Sequence, residues 1–292
     1  QLTPHWMYDP FISAPQKQLL AIAAGGVAGL ICFVGLTLLL QLIELERAGI
    51  AKATAGSAGF MLAGLAARRR AYALAQPVIG DPAALEEAAR ALLARALAGD
   101  APPTPKPAPA GGGCTTNLVV IDRDGNAVSL ITSISQPFGA GVIVPGTGVL
   151  LNNRMGGFVT DAASPNRVGP AMRPAHTLAP AMVFRNGRAW VSIGTPGAAG
   201  QTATLAQILS RVLACGEAWG EAIAAPRWSV DLQGAFIVEN TVDERTRGAV
   251  AAVEPGLAAR PPGFQTFGSI KAAWAEHGRV AAIADPRRSA TA

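Results

Sequence analysis

The feature that most constrains this chain is a break in composition at residues 100–114, Asp-Ala-Pro-Pro-Thr-Pro-Lys-Pro-Ala-Pro-Ala-Gly-Gly-Gly-Cys. Prolines at this density hold a backbone extended and end any helix, and the three glycines then release it. Regular structure upstream must therefore finish before the break, and a new element starts at Thr115. The two sides read differently.

Upstream the pattern is helical. An Ala-rich stretch runs from about residue 54 to 76 and stops before Pro77. A second opens with Asp81 as N-cap and Pro82 at the first helical position, carries Glu86 and Glu87 in its early turns, and ends near Gly99. Further upstream, residues 19–43 contain no charge; Lys17 precedes them and Glu44, Glu46 and Arg47 follow. Such a segment is long enough to cross a bilayer, so a membrane anchor is one reading. The other is a buried strand, a turn near Gly35 and a core helix from Leu36 to Glu46. Gly25, Gly26, Gly29 and Gly35 weaken one continuous helix and favour the buried reading.

Downstream the period shortens to that of strands. Residues 116–122 and 127–133 flank Asp124-Gly125-Asn126, and residues 181–185 and 188–194 flank Asn186-Gly187, a strong hairpin signal. A helix is expected from about Thr202 to Ala214 with Gly216 as its stop, and further strands near 235–239, 269–275 and 279–285. Helices, then strands, a helix and strands again describe an α+β layered domain.

Composition removes several function classes. Half of the 292 residues are hydrophobic and 15% are charged, so global disorder is excluded. The net charge is +5, but the basic residues are scattered and aromatics make up only 5%, so no basic stripe with stacking rings offers a nucleic-acid groove. Cys32, Cys114 and Cys215, with His5, His176 and His277, are too sparse for a disulfide framework or a metal site, and no cofactor is expected. Residue 1 is Gln and no signal-peptide pattern opens the chain, as expected where the natural start lies upstream. The cysteines indicate no compartment.

Thr115 is the residue with chemical consequences. A threonine hydroxyl is a poor nucleophile until a base takes its proton, and no Gly-x-Ser-x-Gly or similar signature is present. A threonine at a newly made N-terminus can use its own α-amine as that base, which requires cleavage after Cys114. The Gly111-Gly112-Gly113 run would let the scissile peptide adopt a strained pose. Taken alone, Thr-Thr at a strand start is also ordinary β-propensity.

Around this point the sequence resembles the gamma-glutamyltransferase family. The motifs are Cys114-Thr115-Thr116-Asn117 with the following Val-Val-Ile-Asp-Arg-Asp-Gly-Asn-Ala-Val, then Phe138-Gly139-Ala140-Gly141, residues 145–153 and Met155. Arg173-Pro174, Leu178-Ala179-Pro180, Gly194-Thr195-Pro196-Gly197, Glu221-Ala222 and Ala225-Pro226-Arg227 continue it in order. Upstream, residues 35–44 and Tyr72 through Gly80-Asp81-Pro82 resemble the end of that family's large subunit. The resemblance implies an α+β fold, a four-layer αββα sandwich of the N-terminal-nucleophile hydrolase type. It divides the chain into an N-terminal apolar segment 1–34, a helical large-subunit end 35–114, and a small-subunit catalytic region 115–292. It also implies self-cleavage between Cys114 and Thr115, an acyl-enzyme on Thr115, and transfer of an acyl group from a small amide, such as glutathione, to an amine or water. The implied partners are that substrate and the chain's own two cleaved parts, with a membrane only through residues 19–43.

By position, Ser133 falls where the family has a threonine that positions the nucleophile, and Gly197 and Ala198 fall on the paired glycines of the oxyanion hole. The substrate-binding positions map to Ser135, Asn153, Arg154, Gly157, His176 and Thr177. Several depart from the family: Ser135 replaces Asn, Arg154 replaces Gln or Glu, Gly157 replaces Asp, and His176-Thr177 replaces Ser-Ser. Losing an acid and gaining a cation makes a substrate ammonium costly there and a carboxylate welcome. A related acylase with altered donor specificity, or an inactive truncated paralogue, are the alternatives implied.

Overall fold

A computed structural model of the chain describes residues 21–22, 33–99, 114–276 and 278–288. Upstream of the break lie β1 (Ala21–Ile22), α1 (Phe33–Arg47), α2 (Ala58–Ala75) and α3 (Pro82–Ala98). The C-terminal part of the apolar run that suggested a membrane, residues 33–43, lies in α1. Leu36, Leu38, Leu40, Thr37 and Gln41 are all buried, because α1 packs against α2 and α3 and also against α4 (Gln201–Leu209). A helix covered on several sides needs no polar face, so its sequence reads like a membrane span. Among the described residues no helix is long and apolar enough to cross a membrane. The turn expected near Gly35 is not there: Gly35 lies inside α1. The remainder of 1–32 lies outside the described residues, as does the Pro/Gly segment 100–113.

α2 starts later than its pattern suggested. Ser57 caps it by accepting a hydrogen bond from the Phe60 N–H at 3.2 Å, and residues 54–56 form a turn instead. α3 opens at Pro82, as the N1 preference anticipates.

Downstream, β4 (Ala181–Arg185) and β5 (Arg188–Gly194) form a hairpin through Asn186 and Gly187, whose φ values of 52° and 74° are those of a tight primed turn. With β1, β9 (Lys271–Glu276) and β10 (Arg279–Ala284) they make a five-stranded sheet in the order β1-β4-β5-β9-β10. Alternate residues divide its faces. Ala181, Val183, Val191, Ile193 and Ala272 point into the helical layer and share one buried core with Leu36, Leu40, Leu205 and Leu209. The opposite face receives the hairpin of β2 (Cys114–Ile121) and β3 (Ala127–Ser135). Helices, sheet and hairpin thus form three successive layers of the α+β sandwich.

A smaller unit lies between α4 and β9 in the chain: α5 (Trp219–Ala224), β6 (Trp228–Val230), β7 (Phe236–Glu239), α6 (Glu244–Ala251) and β8 (Ala258–Arg260). Trp228 is fully buried there, and it is why Gly64 on α2 has no side chain: a Cβ would lie 2.5 Å from the indole. α4 continues from Leu209 as a π-helical turn, Ser210–Ala214, and Gly216 follows with a φ of 76°, so the stop residue anticipated there is observed.

Candidate active site

The β2–β3 hairpin carries Thr115 and is set by its own turn. Asp122 accepts from the N–H groups of Asp124 and Asn126 at 2.9 and 2.8 Å and from the Asn126 amide at 2.7 Å. The Asn126 side-chain bond, then these backbone bonds, hold the Asp122 carboxyl below its ordinary value. With the turn fixed, strand alternation points Thr115, Asn117, Val119 and Ile121 inward and Leu118 and Val120 outward.

Polar links lock the hairpin onto the sheet. The Ser129 hydroxyl donates to the Ile193 carbonyl at 2.9 Å, the Ser192 hydroxyl donates to the Val128 carbonyl at 2.6 Å, and the Lys271 ammonium donates to Asn117 Oδ1 at 3.0 Å. Asn117 fits because residue 194 is glycine, where a Cβ would lie 3.0 Å from the amide nitrogen. These contacts align the hairpin along β5: Ser129 meets Ile193, and Asn117 meets Gly194. Its open end, bearing Thr115 and Ser133, therefore lies toward the loop of residues 195–198.

At that open end the Thr115 hydroxyl donates to Ser133 Oγ at 3.0 Å, and the Ser135 N–H donates to the same oxygen at 3.1 Å. The residue paired with the nucleophile by resemblance is thus in contact with it. The Cys114–Thr115 step coincides with a register shift, Cys114 facing Ser135 and Thr115 facing Ser133, so the ladder bulges there. Ser135 adopts a φ of 74°, a left-handed conformation that costs a non-glycine residue roughly 1–2 kcal/mol. Backbone strain is therefore found directly across the ladder from Cys114. Cys114 itself is exposed.

The loop after β5 supplies a pair of backbone donors. Gly197 has φ 135° and Ala198 φ 49°, so Ala198 occupies the left-handed conformation in spite of its methyl group. Both residues are buried, and among the described residues neither N–H donates to a protein acceptor. The loop is clamped from behind. Arg68 on α2 is buried and donates to the Ala199 carbonyl at 3.2 Å and to Thr202 Oγ1 at 3.3 Å, with Tyr72 beneath its guanidinium. Thr195 Oγ1 donates to the Pro196 carbonyl and accepts from the Ser269 N–H.

The remaining candidates come from the segment between β3 and β4. The Asn153 side chain accepts from the Gln136 N–H and donates to Gln136 Oε1, and its own N–H donates to the Ile134 carbonyl at 3.3 Å. That ties the short helical turn Arg154–Gly157 to the end of β3, beside Ser133 and Ser135. Asn166 holds the turn from the other side, donating to the Gly157 carbonyl at 2.7 Å and accepting from the Ala175 N–H at 2.9 Å. Next to Ala175, half-buried His176 accepts at Nδ1 from the Leu178 N–H, so its proton resides on Nε2. Burial first, then the charges of Arg154 and Arg173, pull the imidazole down to about 4, leaving it neutral at neutral pH. Thr177 sits half-buried beside it. Arg173 is paired with Asp81 at 3.1 Å.

Every candidate residue lies among those described. Thr115, Ser133 and Ser135 are brought into one hydrogen-bonded group; Asn153 and Arg154 adjoin it, with Gly157 and His176 beyond. Arg68, Asn117, Asn166 and Lys271 were not anticipated. Arg68 and the Lys271–Asn117 pair act over more than 130 residues of sequence, for which no local signal exists, and Asn166 bridges an irregular loop with contacts nine residues to either side. Among the described residues no group of acidic, histidine and cysteine side chains could hold a metal ion.

Comparison with known proteins accords with this arrangement. The gamma-glutamyltranspeptidase family matches residues 28–292. The glutathione hydrolase-like YwrD proenzyme of Bacillus subtilis is 43% identical over 117 residues, covering 40% of this chain and 22% of that protein. The oxamate amidohydrolase proenzyme of Klebsiella pneumoniae is 36% identical over 169 residues, 56% of this chain and 32% of that protein. A gamma-glutamyltranspeptidase from Pseudomonas nitroreducens, solved with L-DON, superposes with a TM-score of 0.54 at 26% identity, covering 61% of this chain and 97% of that one. The chain thus spans between about a fifth and a third of the length of these two curated relatives.

Proposed function

The chain belongs to the gamma-glutamyltranspeptidase family, and from that premise we propose that it is the catalytic part of a self-cleaving amide hydrolase or acyltransferase whose nucleophile is Thr115. The observation that carries the reading is the Thr115–Ser133 hydroxyl pair at the bulged Cys114–Thr115 step. In the first stage Thr115 Oγ attacks the Cys114 carbonyl carbon. The C–N bond breaks, the nitrogen takes the proton, and water then hydrolyses the resulting ester to leave a free Thr115 α-amine. In turnover that amine takes the hydroxyl proton while Oγ attacks the substrate amide, and the proton passes to the leaving amine. Ser133 orients the hydroxyl, and the N–H groups of Gly197 and Ala198 stabilise the oxyanion, a contribution of about 3–4 kcal/mol per donor in comparable sites.

The proenzyme names of the relatives support activation by cleavage, and glutathione or another small amide as acyl donor. Oxamate, named in one of those relatives, carries a carboxylate and no ammonium, which favours an altered donor over a strict γ-glutamyl one. Residues 35–114 are then the end of the larger part and 115–292 the smaller. Intact mass and N-terminal sequencing after expression test the reading. A fragment beginning at Thr115, lost in Thr115→Ala, is expected; an unbroken wild-type chain with no amide hydrolysis would overturn it.

A further inference from the structure

We propose that Arg154 is a carboxylate-binding site that selects acyl donors ending in a carboxylate and carrying no ammonium, a specificity resting on the hydrolase reading above. Arg154 is half-buried and follows Asn153, which is bonded to the end of β3 beside Ser133. Among the described residues its guanidinium has no hydrogen-bond or ion-pair partner, while Arg173 nearby is satisfied by Asp81. A partly desolvated guanidinium presents a planar fork of donors and is stabilised by whatever carboxylate reaches it.

Among the described residues no acid is paired with Arg154, and Asp81 is engaged by Arg173. Gly157, at the end of the same turn, has no side chain, and a Cβ there would lie 3.3 Å from the Ala175 carbonyl. His176, whose titration is depressed partly by Arg154, is neutral and presents an N–H rather than a negative charge. A bound carboxylate therefore gains Arg154, whereas an adjacent ammonium would meet a like charge with no acid to offset it. Among the described residues, Arg154 and Arg173 are cationic and act on the neutral His176, and the acid Asp81 is taken up by Arg173.

The test uses three p-nitroanilides that differ one group at a time. Glutaryl carries the terminal carboxylate alone, γ-glutamyl adds the ammonium, and butyryl has neither. Glutaryl is expected to exceed both others in kcat/KM by about 10-fold or more. Arg154→Gln should collapse the glutaryl-over-butyryl ratio mainly through KM, and Arg154→Lys should restore part of it. A γ-glutamyl preference, or a ratio unchanged in Arg154→Gln, would overturn the proposal.

A second measurement needs no turnover. Glutarate should raise the titration midpoint of the His176 imidazole, followed by NMR and assigned with His176→Gln, in the wild type and not in Arg154→Gln. Glutarate that leaves His176 unmoved overturns the site even where hydrolysis occurs. A glutarate response without any cleavage at Thr115 upholds the site and defeats the hydrolase.

Discussion

Two groups of arginines in this chain have opposite environments. Near the C-terminus, Arg227 and Arg287 are almost wholly buried, and each meets an acid: Arg227 with Asp285 at 2.6 Å, Arg287 with Glu239 at 2.6 Å and with Asp285 at 3.2 Å. The carbonyls of Ile223, Ala225 and Phe267 accept most of the remaining donors. At the open end of the β2–β3 hairpin, Arg154 is half-buried and has no partner among the described residues, whereas Arg173 meets an acid, Asp81. Two carboxylates balance two guanidiniums in the first group, which fixes the chain end against α5, β6 and β7. The second group retains, among the described residues, one guanidinium with no acid, on the turn tied to the end of β3. A scaffold neutralises its buried charges internally; a binding site leaves one for the ligand.

The comparison can be broken most directly at Asp285. Burial pushes its carboxyl up, but the Arg227 charge, the bond from the Arg287 N–H and the Arg287 charge outweigh this and hold it below its ordinary value. Asp285→Ala leaves Arg227 buried and unpaired and should cost about 3–5 kcal/mol in denaturant unfolding. A loss under about 1 kcal/mol would show that this cluster is no tighter than a surface pair. Because the folded value is depressed, the stabilisation is present above the ordinary carboxylate range and is lost as pH falls through the folded one.

Arg68 lies between the two cases, a buried cation satisfied by a carbonyl, a hydroxyl and a ring rather than an acid. Arg68→Met should cost about 1–3 kcal/mol of stability by leaving acceptors unpaired. It should also lower kcat with little change in KM, since it frees the loop behind the oxyanion donors. Equal loss in both parameters would argue against that positioning role.

A smaller effect sharpens the cationic side. The His176 value falls from 6.5 unfolded to about 4 folded, so the unfolded chain binds more protons between those limits. Stability should therefore fall as pH is lowered from about 6.5 to about 4, by on the order of 1 kcal/mol given the partial exposure of the ring. His176→Gln should flatten that slope in urea titrations at several pH values. The smallest effect is expected at Arg154 itself: Arg154→Gln should change stability by no more than about 0.5 kcal/mol, because no native partner is lost. A large destabilisation by thermal unfolding would place Arg154 with the structural arginines instead.

Legibility from sequence followed how local each cause was. Strands β4 and β5 were placed at their observed limits because Asn186-Gly187 demands positive φ, and Pro82 marked the start of α3. α5, β6, α6 and β8 were missed; at three to eight residues they are too short for a period to emerge. α6 had one readable sign, Asp243, whose side chain accepts from the Thr246 N–H. The apolar run at 19–43 was ambiguous because burial on several sides and immersion in lipid select the same side chains.

The readings of Thr115 as nucleophile, of Gly197 and Ala198 as oxyanion donors and of the departures at Arg154, Gly157 and His176 came from the resemblance to the family, which the order of motifs in the sequence carries. Tertiary structure decided which of these charges meet an acid among the described residues. Arg173 and Arg154 look alike in sequence, but Asp81, 92 residues away from Arg173, reaches only that one. Pairing depends on distances of a few ångströms between segments brought together by folding, and no local pattern encodes them.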